Sequence, residues 1–180
     1  MNIKNLLLGL SFVATAANAS DIIDFKNINT LEGWQVVNDG VMGGRSAGYL
    51  AKNADKQIVF SGNVSLKNNG GFTSIRYRPQ HSLSTTNKQK VMIRLKGDGK
   101  DYQFRLKGSN KQRHSYVAHF STNGDWQEIQ IELSDMYPSF RGRRLDIGNF
   151  KHPQIAEMGF LIANKKAEDF KLIIDWVKLQ

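Results

Sequence analysis

Apolar and polar residues alternate in short runs along most of this chain. The runs fall at Gly33–Val37, Gln57–Ser61, Phe72–Arg78, Gln89–Lys96, Tyr102–Lys107, Ser115–Phe120, Gln127–Leu133, Met158–Ala163 and Phe170–Trp176. A period of two marks strands with one buried face, and nothing after the first twenty residues sustains a helical period. Asn38-Asp39-Gly40, Asn68-Asn69-Gly70-Gly71, Gly97-Asp98-Gly99 and Asn123-Gly124-Asp125 separate the runs. Such residues accept positive φ or form Asx turns. The Asn-Gly pair predicts a hairpin turn at 68–71, and Gly97–Gly99 reads the same way. Ser134–Phe150 contains Pro138 and Arg141-Gly142-Arg143-Arg144 and reads as a long loop; Ser82–Lys88 reads as an exposed one. Many short strands with little helix predict an all-β fold, a jelly-roll β-sandwich.

Strand parity assigns faces. Ile75 and Tyr77 oppose Ser74, Arg76 and Arg78. Val91, Ile93 and Leu95 oppose Met92, Arg94 and Lys96. Tyr102, Phe104 and Leu106 oppose Gln103, Arg105 and Lys107, and Ile129, Ile131 and Leu133 oppose Glu128, Gln130 and Glu132. If these strands share a sheet, Arg76, Arg78, Arg94, Lys96, Arg105 and Lys107 form one basic face, with Glu128 and Glu132 on it. That face is either a recognition surface or a solvated one crossed by weak ion pairs. Its arginines favour recognition, because a guanidinium grips carboxylates and phosphates bidentately.

The N-terminus changes the picture. Lys4 precedes an apolar run, Leu6–Ala14, which ends at Ala16-Ala17-Asn18-Ala19. Small residues at Ala17 and Ala19 suit a signal peptidase, so residues 1–19 read as a cleaved export signal. The run is too short to span a bilayer, which takes about 20 apolar residues. Residues 20–180 then form a single domain, periplasmic or secreted, with no membrane-spanning segment. The chain has no cysteine, which removes thiol nucleophiles, thiolate metal sites and disulfides. Its net charge of +9 falls to +8 once Lys4 is lost. Such an excess suits anionic partners or serves solubility alone, and export argues against nucleic acid.

Candidate chemistry is sparse. Asn38, Asp39, Gly43 and Gly44 form either a binding loop or a structural turn whose Asn and Asp cap their own backbone. Asp98 and Asp101 are the candidate calcium ligands, although calcium takes six to eight oxygens. Trp126 falls on the face of Glu128 and is either a buried aromatic or the one best placed for a ligand, whereas Trp176 shares parity with Leu172 and Ile174 and reads as core. Glu128 and Glu132 lie about 13 Å apart along a strand, too far for a glycosidase pair. The four histidines show no metal-ligand spacing, and no nucleophile elbow, phosphate loop or dinucleotide fingerprint occurs. The pattern indicates a binding protein without a cofactor, not an enzyme.

Several stretches together resemble one family. They are Gly33-Trp34-Gln35-Val36-Val37-Asn38-Asp39-Gly40-Val41-Met42-Gly43-Gly44-Arg45-Ser46, Gly62–Arg76 with its Asn68-Asn69-Gly70-Gly71-Phe72, Arg94–Tyr102 with Gly97-Asp98-Gly99, and Phe140-Arg141-Gly142-Arg143. Their order and spacing, from about Phe25 to Leu179, resemble the complex I intermediate-associated protein 30 family. The resemblance implies a galactose-binding-like jelly roll and an accessory, chaperone-like role in assembling a protein complex. The export signal points to a bacterial periplasmic member. The expected partner is a protein with an acidic surface, bound through the basic face and through the loops at Asn38–Gly44 and Arg141–Arg144, with Arg141, Arg143 and Arg144 donating to its carboxylates. The alternative is an envelope or extracellular glycan.

Overall fold

The structure, a computed structural model, describes residues 22–27 and 30–180; the export signal expected at 1–19 lies outside them. Fifteen strands follow in chain order: β1 Ile22–Asp24, β2 Trp34–Asn38, β3 Ala47–Lys52, β4 Ile58–Val64, β5 Thr73–Tyr77, β6 Leu83–Ser84, β7 Lys90–Lys96, β8 Asp101–Lys107, β9 Ser115–Ser121, β10 Trp126–Glu132, β11 Tyr137–Phe140, β12 Arg143–Arg144, β13 Gln154–Ile155, β14 Glu157–Ile162 and β15 Glu168–Leu179. One antiparallel sheet has the order β10-β7-β15-β4-β3, with β1 also on β15. A second runs β12-β11-β9-β8-β14-β5-β2, and β13 pairs with β6. The chain passes repeatedly from one sheet to the other, as in a jelly roll, and the fold is an all-β sandwich.

Alternation explains the layering. Val91, Ile93 and Leu95 from β7 and Phe170, Leu172 and Ile174 from β15 face Tyr102, Phe104, Phe160 and Ile75 of the other sheet, all buried. Within the sheets, Phe60 on β4 packs on Phe170 of neighbouring β15 at 4.7 Å between ring centres, and Phe104 on its cross-strand partner Phe160 at 5.3 Å; Tyr102 meets Phe170 across the core at 6.5 Å. Burying each such side chain stabilises the fold by roughly 1.5–3 kcal/mol.

Five expectations are corrected. Asn68–Gly71 and Gly97–Gly99 do not close hairpins: β4 and β5 lie in different sheets, as do β7 and β8. Asn68, Asn69 and Gly99 do have positive φ, so the turn chemistry is real while the strand pairing differs. Ser134–Phe150 is not simply a loop, because β11 and β12 form a hairpin whose turn carries Arg141 (φ 50°) and Gly142 (φ 75°). Ser82–Lys88 contributes β6 to the small β6–β13 ribbon. Finally, the register of β15 against β7 slips between Ile174 and Trp176. A bulge inserts one residue and reverses parity beyond it. Trp176 is therefore only partly buried, while Asp175 and Val177 are buried.

Candidate functional site

The expected basic face divides between two surfaces. Arg94 and Lys96 on β7, with Trp126, Glu128 and Glu132 on β10, lie on the outer face of the six-stranded sheet. Arg76 and Arg78, with Arg105 and Lys107, lie on the outer face of the seven-stranded sheet. Parity placed each side chain outward, but β7 and β8, which are adjacent in sequence, belong to opposite sheets.

The two surfaces use their cations differently. On the six-stranded side, Arg94 Nε lies 3.2 Å from the buried Asp175 carboxylate, which Lys26 also contacts at 2.8 Å. The Arg94 guanidinium lies 3.7 Å from Glu128 and stacks over Trp126 at 5.3 Å. Trp126 is partly exposed, and Trp176 joins Asp24, Met92, Glu128 and Lys178 along a shallow groove on this side.

Cross-strand registers order the other face. Arg78 and Lys107 flank the buried Glu157 at 2.7 and 3.3 Å, neutralising it. In the next row, Arg76 on β5 lies opposite Gly159 on β14, Gly159 opposite Arg105 on β8, Arg105 opposite Val117 on β9, and Val117 opposite Tyr137 on β11. A Cβ on Gly159 would lie 2.4 Å from the Ile75 carbonyl oxygen, so this position takes glycine, which is buried and puts no side chain of its own between the two arginines. Arg105 donates to Gln103 Oε1 at 3.2 Å. Burial, and then the positive charge of Arg76, hold Arg105 below the ordinary guanidinium range. Two guanidinium groups thus repel one another across the sheet with no carboxylate between them.

The β11–β12 hairpin extends this surface. The Arg144 guanidinium lies 4.9 Å over the Tyr137 ring, which stacks in parallel on His119 and bonds it at 2.8 Å. Arg113 and Arg141 both stack on Phe140, at 5.1 and 5.4 Å. Arg113, Arg141, Arg143 and Arg144 are exposed. Among the described residues, Arg76, Arg105 and these four form no ion pair. Sequence reading missed Tyr137, His119, Arg113 and Gly159. The alternation Glu157-x-Gly159-x-Leu161 was the available signal, since it sets a glycine among outward positions.

Asn38, Asp39 and Gly44 meet their own chain. Asn38 Oδ1 accepts from Gly48 N at 3.0 Å and from the Thr73 hydroxyl at 2.5 Å. Asp39 is 8% exposed. Its Oδ1 accepts from Ser46 N at 3.1 Å, and its Oδ2 accepts from the Ser46 hydroxyl, Gly71 N and Phe72 N at 2.5, 2.7 and 3.3 Å. Burial raises the Asp39 pKa, but these four donors outweigh it and hold the carboxyl below its usual range. A Cβ at Gly44 would lie 2.3 Å from Asp39 Oδ1, so only glycine lets the loop close on the carboxylate. Gly43 is exposed, at φ 85°, and its carbonyl accepts from Asn68 Nδ2. The Asx geometry here ties β2, the β2–β3 turn and the β4–β5 crossing together.

Asp98 and Asp101 have separate partners. Asp98 accepts from Lys100 Nζ and the Tyr102 hydroxyl at 2.8 Å and from Lys171 N at 2.9 Å. Asp101 accepts from the Ser121 hydroxyl at 2.6 Å. Among the described residues no three His, Cys, Asp or Glu side chains gather as a metal site.

The fold has solved counterparts. A family 11 carbohydrate-binding module from Clostridium thermocellum, in complex with a β-1,3-1,4-mixed-linked tetrasaccharide, superposes with a TM-score of 0.62 at 16% identity, covering 89% of this chain and 94% of that one. The family 11 module of the cellulosomal cellulase Lic26A-Cel5E of the same organism gives 0.65 at 15% identity over 89% and 93%. At these identities the likeness is one of fold. The mouse mitochondrial protein named complex I intermediate-associated protein 30 is 23% identical over 176 residues, 85% of this chain and 53% of that protein. The chain thus spans about half the length of this curated relative. Residues 23–174 match the sequence pattern that defines a family, and on that match the chain belongs to the complex I intermediate-associated protein 30 family.

Proposed function

We propose that this chain is a non-catalytic binding protein that holds an acidic segment of a partner protein on the outer face of its seven-stranded sheet, as an accessory factor in assembling a protein complex. The observation that carries this reading is the sorting of its arginines. Arg94 and Arg78 are matched to carboxylates, while Arg76, Arg105, Arg113, Arg141, Arg143 and Arg144 present unpaired guanidinium groups on the seven-stranded side. Charge left unmatched within the fold is available to a partner, and each charge-assisted bond contributes about 1.5–3 kcal/mol. The name of the mouse relative supports the assembly role. The apolar run Leu6–Ala14 and the small residues Ala17 and Ala19 support export, and with it a periplasmic setting.

The test is crosslinking of the full chain at its native level in cells, followed by identification of what is captured. A dominant protein partner, lost with Arg76→Glu/Arg105→Glu at unchanged fold, is the expected result. Undiminished capture by that variant would remove the face from the reading. Glycan binding is a second reading. It is supported by the bulge that turns Trp176 outward beside Asp24 and Glu128, on a sandwich of the same fold as the carbohydrate-binding modules. Saturable sugar binding lost in Trp176→Ala would favour it.

A further inference from the structure

We infer that the acidic segment lies across the strands of the seven-stranded sheet as a polyproline II chain, with a carboxylate side chain at every third residue. This rests on the reading of that face as the site for an acidic protein. Arg76 and Arg105 are separated by one strand, β14. Arg105 and Tyr137, whose ring carries the Arg144 guanidinium, are also separated by one strand, β9. Neighbouring strands lie about 4.8 Å apart, so a cation recurs roughly every 9.6 Å, and three cations span roughly 19 Å.

Few chain conformations match that interval on one side. A β-strand rises about 3.3 Å per residue, but its third residue points to the opposite face. A helix returns to the same face after seven residues, about 10.5 Å, and overshoots by nearly 2 Å over two intervals. Polyproline II has three residues per turn at about 3.1 Å each, so residues i, i+3 and i+6 share a side at roughly 9.3 Å spacing. The mismatch is then about 0.6 Å over the whole row, which an arginine side chain absorbs.

The surface between the cations suits a chain laid across it. Gly159 offers no side chain between Arg76 and Arg105, and Val117, between Arg105 and Tyr137, is 1% exposed. Both positions are buried and neither raises an exposed side chain, so a backbone can lie over them while its carboxylates reach the flanking guanidiniums. Proline at the intervening positions presets the conformation and reduces the entropy lost on binding.

The experiment uses two seven-residue peptides of one composition, Glu-Pro-Pro-Glu-Pro-Pro-Glu and Pro-Pro-Glu-Glu-Glu-Pro-Pro, with binding to the purified protein read by fluorescence anisotropy at low salt. The spaced peptide is expected to bind at least tenfold more tightly. That preference should vanish in Arg105→Gln and in the exposed-site variant Arg144→Gln, whose thermal unfolding should match that of the parent. Equal affinity for both peptides, weakened by the same variants, would overturn the spacing while leaving the acidic-partner reading intact. Failure of both peptides and of polyglutamate would overturn the two together. Binding of polygalacturonate in place of every peptide would overturn both in favour of an acidic glycan.

Discussion

Asp39→Asn separates a structural role from a binding role at the most distinctive loop of the sequence. The substitution keeps shape and size but replaces one carboxylate oxygen with an amide that donates. In the parent, Oδ2 faces three donors and Oδ1 faces one. Whichever way the asparagine is flipped, at least one N–H or O–H meets another donor. The favoured flip keeps the oxygen toward Ser46 Oγ, Gly71 and Phe72 and sets the new amide against Ser46 N. One buried donor is then unsatisfied, at about 1–3 kcal/mol, and three charge-assisted bonds become neutral ones, each weaker by roughly half. The expected loss is about 2–4 kcal/mol. For a domain of this size that lowers the unfolding midpoint by roughly 5–15 °C. Urea and thermal unfolding at pH 7 measure it. The carboxyl is held low in the folded state, so its contribution is fully present above the unfolded value, near 3.8, and is lost as pH falls through the lower folded value. The difference between parent and variant should therefore shrink below about pH 4. Unfolding within 0.5 kcal/mol of the parent at pH 7, the scale of an ordinary surface substitution, would refute the reasoning. Loss of partner capture at unchanged stability would assign the loop to recognition.

Other outcomes follow from the same contacts. Arg94→Met should destabilise by about 1–2 kcal/mol in urea unfolding, because the buried Asp175 keeps only Lys26 and Gln57 as partners. Trp126→Ala should leave binding of the spaced acidic peptide unchanged, since the indole lies on the opposite sheet. Gln112→Glu should raise the His114 pKa in an NMR titration. Gln112 Oε1 accepts from Gly108 N and Ser109 N, which turns its amide nitrogen toward Nε2 of both His114 and His152. Burial, then the charges of His152 and Lys107, hold His114 below 6.5. Its stabilising contribution is present above that value and lost as pH falls through the folded pKa. A His114 that titrates at or above 6.5 in the parent would contradict this arrangement.

Strand faces were legible in the sequence because burial imposes a period of two on each strand separately. All nine alternating runs contain a strand, and Arg76, Arg94, Arg105 and Trp126 point outward as parity required. Sheet membership was not legible. Gly97-Asp98-Gly99 supplies the conformational freedom for a chain reversal, but whether β8 returns beside β7 or crosses the core depends on which apolar faces meet. Both β7 and β8 are equally apolar on one side. The bulge at Asp175 was hidden for a related reason: the extra residue is acidic and buried, and its partners Lys26, Arg94 and Gln57 are distant in sequence. Ser139 and Arg144 of the β11–β12 hairpin carry little apolar signal, because this hairpin holds its place by stacking arginines on Phe140 and Tyr137.

The division of the basic residues between two surfaces gives the charge its meaning. Six cations on one sheet face would have included Arg94, which Asp175 and Glu128 already satisfy, and would have set Glu128 among the others. Separation by the core removes both carboxylates from the seven-stranded side. Its buried Glu157 is matched twice by Arg78 and Lys107, and its charge favours the Arg105 guanidinium less than burial and Arg76 oppose it. Folding thus leaves Arg76 and Arg105 facing each other with their repulsion only partly relieved by Tyr137 and Glu157. An anion bound between them would relieve that repulsion and add its own hydrogen bonds, so a ligand gains more here than at an equally exposed but isolated arginine. Binding should consequently weaken more steeply with salt than its net charge alone implies, and Arg76→Gln should stabilise the free protein while weakening the complex.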